Sequence, residues 1–232
     1  MVRIGTSGFS YKEWCGSFYP EKISGPKMLP YYAGRFPAVE INYTFRRMPR
    51  RQMLEKWRDE TPETFRFALK ASERITHKGR LRDIRSETDY FVETAQALGD
   101  RLGPTLFQLP PWFKKDLAVL SDFLALLNGR IKAAFEFRDK SWLEEEVFAM
   151  LRRADCALCI AESDKLATPV VRTAAYSYLR LRRENYADAD LAVWAERIKT
   201  LAGECSDVYV FLKHATGAPA LVEKLTALVG AA

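Results

Sequence analysis

Histidine is nearly missing. The 232 residues contain two, His77 and His214, so a multi-zinc centre built on imidazole lacks its ligands. Cysteine is scarce as well. Cys15 and Cys205 stand alone, and Cys156 and Cys159 fall in "CALCI". In an apolar strand that spacing sends the two thiols to opposite faces, which favours two core cysteines over a metal or redox C-x-x-C. Four unpaired thiols and no structural zinc are expected. No apolar run approaches the roughly eighteen residues of a membrane span. The N-terminal "MVRIGTSGFS" lacks an apolar leader region, so a cytoplasmic protein with no membrane association is expected. No G-x-G-x-x-G follows the first strand-like run and no G-x-x-x-x-G-K-[ST] occurs, which weighs against dinucleotide and P-loop folds. Linkers, low-complexity tracts and short internal repeats are also absent, leaving one domain over 1–232.

What is present is ordinary globular composition, 48% hydrophobic and 28% charged, with a net charge of +6. Eight β-rich runs recur: "RIGTS" (3–7), "AVEIN" (38–42), "FRFALK" (65–70), "PTLFQL" (104–109), "KAAFEF" (132–137), "CALCIA" (156–161), "YSYLRL" (176–181) and "DVYVFLK" (207–213). Helical stripes lie between them, as in Leu117, Leu120, Leu124 and Leu127, or Leu191, Trp194, Ile198 and Leu201. The gap after residue 161 carries Pro169 and little periodicity, so the sixth helix is expected to be short or degenerate. Strands alternating with helices imply parallel pairing, and eight units favour a TIM-type (β/α)8 barrel.

Strand parity then sorts the polar residues. Residues two apart share a face, so Phe135 and Phe137 face the helices while Glu136 and Arg138 face the lumen and its C-terminal mouth. The same logic brings Glu40 and Asn42, Lys70, Gln108, Arg180 with Arg182, and Lys213 to that mouth. A self-satisfied network of buried ion pairs is one explanation. A ligand site is the other, since mouth clusters in this fold are usually functional. Basic loops come after strands two, three and seven: "RRMPRRQ", "SERITHKGRLRDIR" and "RLRREN". Aromatics accompany the loops (Phe9, Tyr11, Trp14, Tyr43, Phe45, Trp142). Together they suit an anionic ligand bearing rings.

The motifs "GTSGFSYKEWCGSFYP" (5–20), "VEINYTF" (39–45), "FALKASERITH" (67–77), "FQLPPWF" (107–113), "EFRDKSW" (136–142) and "YLRLR" (178–182) closely resemble, in this order, the domain-of-unknown-function 72 family, also called YecE-like proteins. The resemblance runs nearly end to end and implies a TIM-type barrel with no established reaction. It maps onto Gly5, Ser7, Tyr11, Trp14, Glu40, Asn42, Lys70, His77, Gln108, Glu136, Arg138, Trp142 and Arg180. Arg46 stands where the family commonly has tyrosine, and Arg182 where it has histidine. Lys213 and His214 take the place of an asparagine pair. Each departure adds or permits positive charge.

Three functions fit these residues. The first is an enzyme on a phosphate-bearing substrate such as a nucleotide or nucleic acid. Lys70, Arg138 and Arg180 would hold oxyanions, and Glu136 or Glu40 would act as base. The second is a non-catalytic module binding the same ligands. The third is a glycosidase using Glu40 and Glu136, disfavoured because nearby cations lower a carboxylic acid's pKa. The expected partner is an anionic small molecule or nucleic acid, with no obligate protein partner. The expected ligand contacts are Ser7, Tyr11, Trp14, Asn42, His77, Gln108, Arg138, Trp142, Arg180, Arg182 and Lys213. No cofactor is called for, though a Mg²⁺-like ion would find oxygen ligands at Glu40 and Glu136. Arg138 is expected to be held by one of these two carboxylates, and Glu136 to stay ionised.

Overall fold

The computed structural model describes residues 1–163, 166–214 and 216–230. Residues 164, 165, 215, 231 and 232 lie outside the described residues. Eight parallel strands carry the architecture: β1 (Val2–Ser7), β2 (Ala38–Ile41), β3 (Arg66–Leu69), β4 (Thr105–Gln108), β5 (Ala133–Glu136), β6 (Ala157–Ser163), β7 (Tyr176–Leu181) and β8 (Asp207–Leu212). They pair in the circular order β3-β2-β1-β8-β7-β6-β5-β4. The remaining seam, β3 to β4, is closed by isolated parallel bridges, Phe67 to Leu102 and Lys70 to Leu106. There the Ala71 N–H donates to the Leu106 carbonyl at 2.9 Å. The result is a nearly closed (β/α)8 barrel. A two-residue strand, Leu166–Ala167, pairs antiparallel with β6, and no helix forms among the described residues between β6 and β7. No helix among the described residues is long and apolar enough to cross a membrane.

The parity read from the sequence holds through the barrel wall. Phe107, Phe135 and Phe137 join the outer core under the helices. Apart from Leu106 of β4, the lumen takes small residues from β2 to β6 (Ala38, Ala68, Ala134, Ala157, Ala161) against large ones from β7 and β8 (Tyr176, Tyr178, Tyr209, Phe211). Small side chains on one wall make room for rings from the other, filling the barrel at crystal-like density. Cys156 belongs to the outer core and Cys159 to the lumen. All four thiols are free.

Gly5 on β1 pairs with Ala38 on β2. A Cβ there would stand 1.9 Å from the Ala38 carbonyl oxygen. Gly5→Ala must therefore push two central strands apart. We expect it to cost roughly 1–3 kcal/mol, read as a lowered denaturation midpoint with an unchanged slope.

Candidate functional site

The ladder register sets the mouth. Ser7 pairs with Glu40, Gln108 with Glu136, and Ala161 with Arg180. These positions form the last lumen layer before solvent. Arg180, 2% exposed, is its hub. One guanidinium nitrogen donates to Glu40 Oε1 at 2.8 Å and the other to Glu136 Oε2. The opposite walls of the barrel are thus tied through one side chain.

Each carboxylate is saturated with donors. Glu40 accepts from Ser7 Oγ at 2.5 Å, Asn42 Nδ2 at 3.1 Å and the Tyr178 hydroxyl at 2.8 Å. Glu136 accepts from Gln108 Nε2 at 2.7 Å and Arg182 Nη2 at 2.8 Å. Burial raises the pKa of both. Arg180 chiefly, with Ser7 and Tyr178 for Glu40 and with Arg182 and Gln108 for Glu136, outweighs it. Glu40 lies below the usual carboxylate range and Glu136 is held at about 2. Both are ionised at neutral pH, so neither suits the general acid of a glycosidase. Among the described residues no three His, Cys, Asp or Glu side chains gather to hold a metal ion. A cation at Glu40 or Glu136 would have to displace Arg180.

Lys70 completes the layer on different terms. Its Nζ donates to Gln108 Oε1 at 2.6 Å and lies 4.0 Å from the centre of the Phe45 ring. No carboxylate lies within 4 Å of it among the described residues. Burial and then Arg180 lower its pKa to about 8, against the pull of Glu40 and Glu136. The His77 ring packs edge-on against Phe45 at 4.9 Å. Burial, Lys70, Arg138 and Arg46 lower the His77 pKa, favouring neutral imidazole.

Several expected contacts fall elsewhere. Arg138 shares parity with Glu136, but β5 ends at Glu136 and the ladder no longer aims the residues beyond it. The Arg138 side chain is 40% exposed, its Nε 3.9 Å from Glu136 Oε1, and the close grip belongs to Arg180 and Arg182. Lys213 likewise lies just past the last residue of β8; it is exposed, and among the described residues its hydrogen bond is from the backbone N–H to Leu181. Trp14 and Trp142 are buried in the core. The Trp142 indole donates to the Phe113 carbonyl at 2.7 Å and stacks on Phe137 at 4.8 Å, so it locks the loop beneath the mouth and offers a ligand no face. Tyr11 is half-buried, packed on Trp14, and its hydroxyl donates to the Ser7 carbonyl.

The exposed rim aromatics are Tyr43 and Trp112, at 50% and 59%. Trp112 comes after β4 beside Pro111, which lines a mouth cavity of about 530 Å³ with Arg138, Asp139, Lys140, Ala161, Ser163 and Arg182. Tyr178 was missed in the sequence, though strand alternation could have found it, two residues before Arg180 on the same face. Trp112 was signalled only by its place between Pro111 and Phe113. The basic rim is partly neutralised: Glu73 takes Arg46 and Lys78, and Asp116 takes Arg82.

A family model described as "Protein of unknown function DUF72" matches residues 3–232. The UPF0759 protein YunF of Bacillus subtilis (strain 168) is 26% identical, over 95% of this chain and 91% of its own. The UPF0759 protein YecE of Escherichia coli (strain K12) is 30% identical over 60% of this chain and 48% of its own. The crystal structure of a DUF72 family protein from Thermotoga maritima MSB8 superposes with a TM-score of 0.85 at 26% identity, covering 99% of each chain. A DUF72 family protein from Enterococcus faecalis V583 reaches 0.83 at 18% identity, over 99% of this chain and 96% of that one, a likeness of fold.

Proposed function

The chain belongs to the DUF72 family of proteins of unknown function, and from that premise we propose that its barrel mouth binds a phosphate-bearing ligand with an aromatic ring, a nucleotide or a nucleic-acid strand. The observation that carries this reading is charge imbalance. Among the described residues, Arg180, Arg182 and Lys70 face only Glu40 and Glu136 in the last lumen layer, with Arg138 a fourth cation at its edge. A purely structural network has no reason to bury Lys70 without a carboxylate, since uncompensated buried charge is costly. Among the described residues the Nε–H groups of Arg180 and Arg182 are also buried without an acceptor. An oxyanion would supply acceptors and charge together. Trp112, exposed and next in sequence to the cavity-lining Pro111, is the aromatic available to stack on the ring.

Hydrolysis of that ligand would need a base close to neutrality. Glu136, held at about 2 with every oxygen engaged, is a holder of arginines on this reading, as is Glu40. Binding is therefore the function the geometry supports best.

The test uses the exposed cavity wall, where substitution leaves the barrel intact. Arg138→Glu with Lys140→Glu is expected to weaken binding of ADP and of a short single-stranded oligonucleotide roughly tenfold, and added salt to weaken the wild type in step. Fluorescence titration reads both. Unchanged affinity in the double variant would show the cavity to be solvated surface.

A further inference from the structure

Among the described residues Lys70 alone of the lysines is buried. Its amine is fixed by a relay: Lys70 donates to Gln108, whose amide donates to Glu136, which also accepts from Arg182. Three hydrogen bonds thus hold the amine and the Arg182 guanidinium in a set relation. The Phe45 ring covers one side of the amine, and among the described residues no carboxylate lies within 4 Å of it, Glu40 and Glu136 acting only from farther off. An amine beside other cations in a desolvated place is the arrangement that turns lysine into a nucleophile. With its pKa near 8, about a tenth is free base at pH 7. A neutral amine still donates one N–H to Gln108, leaving its lone pair for another partner.

We infer that Lys70 forms an imine with a phosphate-bearing aldehyde or ketone whose phosphate is held by Arg182 and Arg138. This rests on the anion-binding reading of the mouth and narrows it to a carbonyl compound. The nitrogen lone pair attacks the carbonyl carbon, a C–N bond forms, and the C=O π pair moves to oxygen. That oxygen takes a proton as the nitrogen loses one, giving a carbinolamine. The nitrogen lone pair then forms C=N while the hydroxyl, protonated from solvent, leaves as water. No oxidant or reductant is needed.

The wild-type protein is treated with pyridoxal 5′-phosphate at pH 8, reduced with borohydride and mapped by peptide mass spectrometry, while calorimetry tracks inorganic phosphate in parallel. Lys70 is expected to carry the adduct about tenfold faster than exposed lysines such as Lys140 or Lys213. Pyridoxal without the phosphate should react about tenfold more slowly there, and inorganic phosphate should protect. Phosphate binding with adducts spread over exposed lysines and none on Lys70 overturns the imine and leaves the anion site standing. Equal rates for the two aldehydes overturn the phosphate requirement. Failure of inorganic phosphate to bind overturns the mouth reading itself.

Discussion

Arg180→Met is expected to cost roughly 3–5 kcal/mol of stability, because it leaves two buried carboxylates facing each other across the lumen. Glu40 and Glu136 are 0% and 1% exposed and cannot turn to water. Tyr178, Ser7, Gln108 and Arg182 still donate to them, so the variant is expected to fold, with a lowered Tm that acid partly restores by protonating the stranded carboxylates. Adding Glu40→Gln and Glu136→Gln to Arg180→Met should recover part of the loss by removing the stranded charge. Glu136→Gln alone should also be a stability defect, since it leaves Arg180 and Arg182 one carboxylate short. The wild type carries the opposite acid signature. Glu136 titrates at about 2 when folded against 4.5 ordinarily. Its contribution is fully present above pH 4.5 and is lost as pH falls toward 2. Denaturant midpoints across that window check the sign.

Lys70→Met should do the opposite and stabilise the protein, by about 1–3 kcal/mol at pH 7. The ammonium is buried without a carboxylate, and a thioether chain of similar length keeps the contact with Phe45. The pH dependence identifies the cause. Lys70 titrates at about 8 when folded against 10.5 ordinarily, so between those values the unfolded chain binds more protons. Wild-type stability therefore rises across that window relative to Lys70→Met. The gap is full below pH 8 and closes by pH 10.5. A variant less stable than wild type at pH 7 would show that Lys70 is paired in solution.

Much of this site was legible in strand alternation. Glu40, Gln108, Glu136 and Arg180 lie inside strands, where a period of two leaves no freedom, and all four meet in one layer. The run "YSYLRL" matches β7 residue for residue. Legibility weakened past the strand ends. Asn42, Lys70 and Arg182, one residue beyond β2, β3 and β7, keep the inward parity, whereas Arg138 beyond β5 and Lys213 beyond β8 are exposed, so parity there is no longer binding. The choice of Arg180 over Arg138 as hub has the same origin: one is anchored within the ladder and the other lies past its end. Trp14 and Trp142 failed for another reason. Being next to the mouth in sequence does not decide which way a loop ring turns, and burying a large ring under the loop gains more than leaving it wet.

The proposed anion site rests on Lys70 as a buried cation with no carboxylate within 4 Å among the described residues, and one titration bears on this directly. Inorganic phosphate is titrated calorimetrically at low salt into wild type and Lys70→Met at pH 7. Binding is expected to the wild type, with its loss in a variant that melts at higher temperature. Equal binding by both proteins, or none by the wild type, would contradict the anion role of Lys70.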